Sequence, residues 1–358
     1  MISDGLIQRI EPGGFAVESE FDLSDCVLFP GFIDVHNHGA VGVDVMDAAA
    51  SDLVEVSRYL SSQGVTGWLP TTVPAADENY AQVAQAIGHS MREHGGARVL
   101  GIHYEGPFVN TLQCGALHTQ CFKTYSTPGD LNFLKTPVTG PRMITLAPEV
   151  EGGLELVAEL NRLNWVVSIG HTRADLKLLD AAFVNGARHM THFMNAMAPL
   201  HHRTPGPVNW GLARDDVSCD IIADGIHLDV SVLKLLLKIK GANQLALISD
   251  AIAASGKGDG DYQIWGETIT VKNGRTSNAA GSIAGSVISM LDAVRLMRSL
   301  GVSDVEVAQM ASTNPARLLR IDNECGSIAV GKRADLVAID GAGNVRLTIV
   351  GGEVVYSQ

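Results

Sequence analysis

The middle of the chain repeats one unit: an apolar strand-like run, a polar loop, then a stretch with helical spacing. Eight such runs can be counted: VLFPGFIDVHNHG (27–39), GVTGWLPTT (64–72), RVLGIHYEG (98–106), RMITLAPE (142–149), WVVSIGHT (165–172), ARHMTHFMN (187–195), VSCDIIADGIH (217–227) and QLALISDA (244–251). Between many of them, LVEVSRYLSS, YAQVAQAIGHSMREH, LELVAELNRLN, LKLLDAAFVN and VSVLKLLLKIK place apolar residues at i, i+3, i+4. Gly64, Gly186 and Gly241 follow three of these stretches, where helices commonly end. Val-, Ile- and Leu-rich strands alternating with helices predict a parallel sheet buried on both faces. A count near eight favours closure, and no GxGxxG turn follows the first strand as an open dinucleotide-binding sheet would require. The expected fold class is α/β: a (β/α)8 TIM-like barrel over residues 29–314.

Both ends read differently. GLIQRI, GFAVESEF and CVLF at the start, and GSIAVGKRADLVAI, NVRLTIV and GEVVYS at the end, are short strand-like runs punctuated by glycine. They predict a small β-sandwich built from residues 1–28 and 315–358.

Composition bounds the function classes. Apolar residues make up 46% of the 358, enough for a large core. The net charge of −13 makes nucleic acid and anionic membrane poor general partners. An anionic small substrate would need local cations. The five scattered cysteines form no CxxC pair and predict reduced thiols in the cytoplasm. The opening MISDGLIQRI does not read as a signal peptide, and no apolar run approaches the roughly 20 residues of a membrane span.

In such a barrel, functional groups gather at the C-terminal strand ends. There the chain places His36 and His38, Glu105, His171, His192, Asp224 with His227, and Asp250. In DVHNHG, alternation turns His36 and His38 to one side, with Asp34 behind them. Nitrogen and oxygen donors without thiolate compose a hydrolytic divalent-metal site. Asp250 follows the apolar LALIS, where a buried carboxylate must be paired or functional. A lone strand-end histidine is more often structural; His189, on the opposite face from His192, is set aside on that ground. His103 shares a face with Glu105 and reads as a supporting group.

HYEGPF (103–108), GHT (170–172), THFMNAM (191–197), HHRTPG (201–206), DGIH (224–227), SDA (249–251) and SIAGS (282–286) together resemble the N-acetylglucosamine-6-phosphate deacetylase family of the amidohydrolase superfamily. PGFIDVHNHG and GSIAVGKRADLV are similar to general superfamily signatures. The resemblance implies a distorted (β/α)8 barrel with a β-sandwich from both termini. It implies removal of the acetyl group from N-acetyl-D-glucosamine 6-phosphate. Glu105, His171 and His192 would hold a divalent metal (zinc, iron, cobalt or manganese), and Asp250 would be the catalytic acid/base. Some members carry a second metal at the first-strand pair, here His36 and His38. Asn195, Ala196, Arg203 and His227 would hold the sugar phosphate and hydroxyls, and the backbone of Ile283, Ala284 and Gly285 would line the sugar pocket. Where the family often shows Lys-Lys-Gly-Ala-His, this chain has Gln113-Cys114-Gly115-Ala116-Leu117-His118, so its basic pair is gone; the resemblance carries over Ala116 and His118. A homodimer is implied, with the phosphate side built partly across the interface.

Relatives that bridge two metals with a carboxylated lysine on the fourth strand are disfavoured, because MITLAPE holds no lysine. An N-acetylgalactosamine-6-phosphate deacetylase, differing by one epimeric hydroxyl, and a non-catalytic barrel that binds metal or sugar phosphate are the alternatives; turnover separates the last.

Overall fold

The computed structural model describes residues 1–11 and 21–358. Most of the run GFAVESEF lies outside the described residues.

Eight parallel strands form the barrel: β1 (Phe32–Asn37), β2 (Val65–Thr72), β3 (Ile102–Glu105), β4 (Arg142–Leu146), β5 (Val166–Ile169), β6 (His189–Met190), β7 (Ser218–Ile222) and β8 (Leu245–Ile248). Each pairs with the next in order. The ring closes between β8 and β1: Asp250 N–H donates to His36 O at 2.9 Å, His38 N–H donates to Ala251 O at 2.7 Å, and Asn37 bridges Ala251 in parallel. Beneath these bonds Asp34 accepts from the Ser249 hydroxyl at 2.5 Å and from the Asn37 amide at 3.2 Å. Helices α1 (Ala50–Ser62), α2 (Asp77–Ser90), α3 (Gly153–Arg162), α4 (Leu176–Val184), α5 (Pro207–Ala213), α6 (Val230–Lys240) and α7 (Met290–Ser299) cover the outside. After β3 the connection carries a 3-10 segment, Pro128–Leu134, in place of an α-helix.

Strand alternation sorts the side chains. Tyr104, Ile144, Leu146, Val167, Ile169, Cys219, Ile221, Leu245 and Leu247 face the helices in the main core. Ile33, Val35, Leu69, Met143, Val166, Ile222 and Ile248 form a separate buried cluster. Next to it, on β3–β5 and just past β6, is a polar layer: His103 bonds Thr145 Oγ1 at 2.9 Å, Thr145 bonds Thr191 at 2.7 Å, and Ser168 bonds the same Thr191 hydroxyl. Buried polar groups of this kind persist because each has a partner. Burial drives the His103 ring down to about 4, so it is a neutral member of the ladder.

The run read as the first strand serves two sheets. Cys26–Pro30 pairs antiparallel with Leu336–Asp340, in a four-stranded sheet completed by Val345–Val350 and Glu353–Ser357, while β1 starts at Phe32. The chain crosses at Gly31, where a Cβ would lie 2.1 Å from the Thr66 side chain. Ile2–Ser3 and Leu6–Ile7 form a short hairpin whose Ile7 packs with Leu336, Ala338, Leu347 and Ile349. Sheets from the two termini therefore share one small core beside the barrel. Between β8 and α7 stands a separate three-stranded antiparallel sheet, Gly260–Ile264, Glu267–Lys272 and Arg275–Ser277.

Candidate active site

The C-terminal strand ends deliver two groups of three buried side chains, each with its ligand atoms within 4.8 Å of one another: Glu105, His171 and His192, and His36, His38 and Asp250. In the first, Glu105 Oε1 lies 3.0 Å from both His171 Nε2 and His192 Nε2, and the two nitrogens are 3.1 Å apart. In the second, His36 Nε2 and His38 Nε2 are 3.1 Å apart, and Asp250 Oδ1 is 3.4 and 3.3 Å from them. Glu105 joins the groups, with Oε1 at 3.6 Å from His36 and Oε2 at 3.4 Å from His38.

The backbone is bent to make this possible. His171 (φ +47°), His192 (φ +31°) and Asp250 (φ +50°) all sit in the left-handed region, which non-glycine residues rarely enter. Such strain persists only where the surroundings hold it. The His192 N–H is held by the buried Asp220 carboxylate, which also accepts from His189 Nε2 at 2.9 Å. Asp250 O accepts from Ser286 N–H at 2.7 Å, which draws the 282–286 segment alongside. Gly285 is required there: a Cβ would approach Asp250 O to 2.9 Å and Ile252 to 2.7 Å. On β1, pairing with β2 slips between Asp34 and Asn37, an irregularity of the kind that re-aims side chains beside active sites.

The donor chemistry fits a divalent cation. His171 Nδ1–H donates to Gln113 O at 2.7 Å, and His38 Nδ1–H donates to Thr71 O at 3.1 Å. Each bond fixes the tautomer that turns the Nε2 lone pair toward the cluster. The buried carboxylates demand positive charge, and their neighbours register it. Burial opposes charge on His38, yet Asp250 and Glu105 outweigh it and push the ring up to about 10. His192 is pushed up to about 9 against the same burial, mainly by Glu105. Burial pushes the Glu105 carboxyl up, and the surrounding imidazoles, His36 first, overcome it and hold it well below the usual carboxylate range.

A cavity of about 480 Å³ opens over this cluster. Ala116, Asn195, Ala196, His227, Ile283 and Gly285 line it with Glu105, His171, His192, His38 and Asp250. Asp224 Oδ2 accepts from His227 Nδ1–H at 2.6 Å, which leaves His227 Nε2 as its remaining polar atom. Burial raises the Asp224 carboxyl, but the His227 bond and charge, with the Ile226 and His227 N–H groups, hold it below its ordinary value.

Other expected residues lie elsewhere. Ala284 is fully buried against Ile252, Ile264 and Ile269, and only its neighbours Ile283 and Gly285 reach the cavity. His118 lines an adjoining cavity and meets Glu267 Oε1 at 3.4 Å. Arg203 is exposed on its loop outside the cavity. Sequence reasoning missed Asp220, Gln113, Thr71 and Trp265. Asp220 carried a signal, a carboxylate inside the apolar SCDII, which obeys the rule that singled out Asp250. Gln113 and Thr71 act through backbone carbonyls and carried none.

The amidohydrolase family model matches residues 27–355. This chain belongs to the amidohydrolase family. An N-acetylglucosamine-6-phosphate deacetylase of Bacillus subtilis (strain 168) is 39% identical over 99% of this chain and 92% of its own length. An N-acetylgalactosamine-6-phosphate deacetylase of Escherichia coli O157:H7 is 36% identical over 99% and 93%. The crystal structure of N-acetylglucosamine-6-phosphate deacetylase from Thermotoga maritima superposes with a TM-score of 0.91 at 34% identity, covering 100% of this chain and 94% of that one. The amidohydrolase fold and its metal-dependent chemistry thus agree with the two donor groups at the barrel mouth.

Proposed function

We propose that this amidohydrolase removes the acetyl group from N-acetyl-D-glucosamine 6-phosphate, giving D-glucosamine 6-phosphate and acetate. The convergence of Glu105, His171 and His192 beside Asp250, under one cavity, carries the reading. Glu105, His171 and His192 would hold the principal metal, and His36, His38 and Asp250 offer a second seat. Zinc, iron, cobalt and manganese all suit these donors.

When bound, the cation supplies Lewis acidity, lowering the pKa of water from about 15.7 toward about 7 and polarising the acetyl carbonyl. Asp250 accepts the proton of the attacking water and passes it to the amide nitrogen, turning a poor leaving group into an amine. His227, whose Nδ1–H is taken up by Asp224, offers Nε2 as an acceptor for a sugar hydroxyl. Asn195, Ala196 and the backbone at Ile283 and Gly285 shape the sugar side.

No Lys or Arg lines the cavity among the described residues. A phosphate therefore needs a cation brought by the Arg203 loop or by a second copy of the chain, which supports the homodimer. Among the described residues no helix is long and apolar enough to cross a membrane. The five unpaired cysteines support a reducing, cytoplasmic setting.

The test is acetate release from N-acetylglucosamine 6-phosphate by the purified protein. Turnover that disappears in Asp250→Asn with metal retained supports the reading; binding without turnover refutes it. The galactosamine epimer is a second reading, favoured by the 36% identical Escherichia coli relative, and kcat/KM on both epimers decides between them.

A further inference from the structure

The three-stranded sheet between β8 and α7 makes two tight turns of the same kind. One is Asn273-Gly274, with φ of +52° and +74°. The other is Trp265-Gly266, with φ of +54° and +79°, closed by the pair Ile264–Glu267. Two central residues with positive φ define the type I′ hairpin turn, which strongly prefers Asn-Gly. Asn273 obeys that preference. At the equivalent place Trp265 is a bulky side chain in a conformation that is an outlier for it, and an outlier of this kind points to function.

The indole stands at the active site. Its ring meets His38 edge to face, with centroids 5.3 Å apart. It lines the catalytic cavity, and it also lines a second cavity of about 250 Å³. Ala116 and Leu117 are the other walls common to both. Beyond this partition the second cavity is walled largely by Met46, Val73, Pro74, Ala75 and Ala76, with Asp47, Asn79 and His118 as polar groups. Of the residues carried over for the substrate, Ala116 and His118 line it, while Asn195, Ala196, His227, Ile283 and Gly285, which shape the sugar side, do not. The part of the substrate nearest the partition is therefore the acyl end, held at the cluster that includes His38.

We infer that Trp265 determines acyl-chain specificity: it closes the acyl side of the site at the size of an acetyl group and seals off a second cavity, with Val73, Pro74, Ala75 and Ala76 among its walls, that would otherwise admit a longer chain. The inference rests on the proposed amide hydrolysis and adds to it which amides are cleaved.

The experiment compares kcat/KM for the N-acetyl, N-propionyl and N-butyryl forms of glucosamine 6-phosphate. Trp265→Asn and Trp265→Gly are the informative variants, because both residues suit a type I′ turn and the hairpin keeps its shape. Both should raise the butyryl-to-acetyl ratio at least tenfold, about what one methylene commonly decides in an apolar pocket. Trp265→Phe, which keeps a ring at the partition, should stay within about threefold of the wild-type ratio. Adding Ala75→Phe to Trp265→Gly refills the second cavity and should bring discrimination back. In an Asp250→Asn background, titration calorimetry should show N-butyryl substrate bound about tenfold more tightly once Trp265 is replaced, with N-acetyl binding little changed. A ratio unchanged in both turn variants, with rates on all three substrates falling together, overturns the inference and leaves the deacetylase reading intact. A wild-type protein that cleaves none of the three amides overturns both.

Discussion

In the proposed reaction Asp250, which faces the imidazole pair at 3.3–3.4 Å, would also carry a proton between water and the leaving nitrogen. Replacing it with asparagine keeps the shape and removes the base. Asp250→Asn should lower kcat by about 10²–10⁴ while KM and the metal at Glu105, His171 and His192 stay near wild type, as steady-state kinetics and metal analysis would show. Glu105→Gln should instead lose the metal, because Glu105 Oε1 is the oxygen shared by both histidines of its group. Asp224 acts through His227, and its folded-state pKa lies below the ordinary 3.8. A depressed carboxyl contributes stability that is present above its unfolded pKa and lost as pH falls through the folded value. Acid unfolding followed by circular dichroism should therefore show Asp224→Asn losing less stability than wild type below about pH 4. A variant that follows the wild-type curve in that window would separate Asp224 from stability.

At the scale of elements, β6 and β7 hold His192 from below. Asp220 accepts from the His192 N–H and from His189, inside the barrel. Asp220→Asn should weaken metal binding by about 10–100-fold, read by competition with a chelator, since supporting partners of ligands typically cost that much. Gly285→Ala should lower activity through Asp250, whose carbonyl the new methyl meets at 2.9 Å. Much of this architecture was legible beforehand. Eight apolar runs gave eight barrel strands, and Glu105, His171, His192 and Asp250 were found because a polar residue closing an apolar run is conspicuous. The strained turns were not legible, because nothing local distinguishes a histidine at φ +47° from one in a strand. The first run hid a change of sheet at Gly31 because both sheets ask for the same apolar pattern. The backbone of Ile283, Ala284 and Gly285 was expected along the sugar pocket; the Ala284 side chain turns into the core while Ile283 and Gly285 reach the cavity. Trp265 escaped because it stands in a turn where its residue type is foreign.

The whole molecule places an acidic chain of net charge −13 around a substrate that is itself anionic. The barrel mouth resolves part of that conflict with its imidazoles and the cation they would hold, and the phosphate end calls for Arg203 or a neighbouring copy. If the second copy supplies it, light scattering should find a dimer at assay concentrations, and dilution into monomers should raise KM more than it lowers kcat. Metal held by the two donor groups would also tie the fold together across β1, β3, β5, β6 and β8. Stripping it should lower Tm, because a ligand that binds only the folded chain stabilises it, by about 2.7 kcal/mol at a hundred times its Kd.

The most direct test is acetate release from N-acetylglucosamine 6-phosphate by protein stripped of metal and then titrated with zinc or manganese. Release should be negligible at the start, rise in proportion to metal bound, and fail to rise in Glu105→Gln. Stripped protein that turns over at the untreated rate, or Glu105→Gln that binds metal and recovers fully, would contradict the proposed metal-dependent hydrolysis.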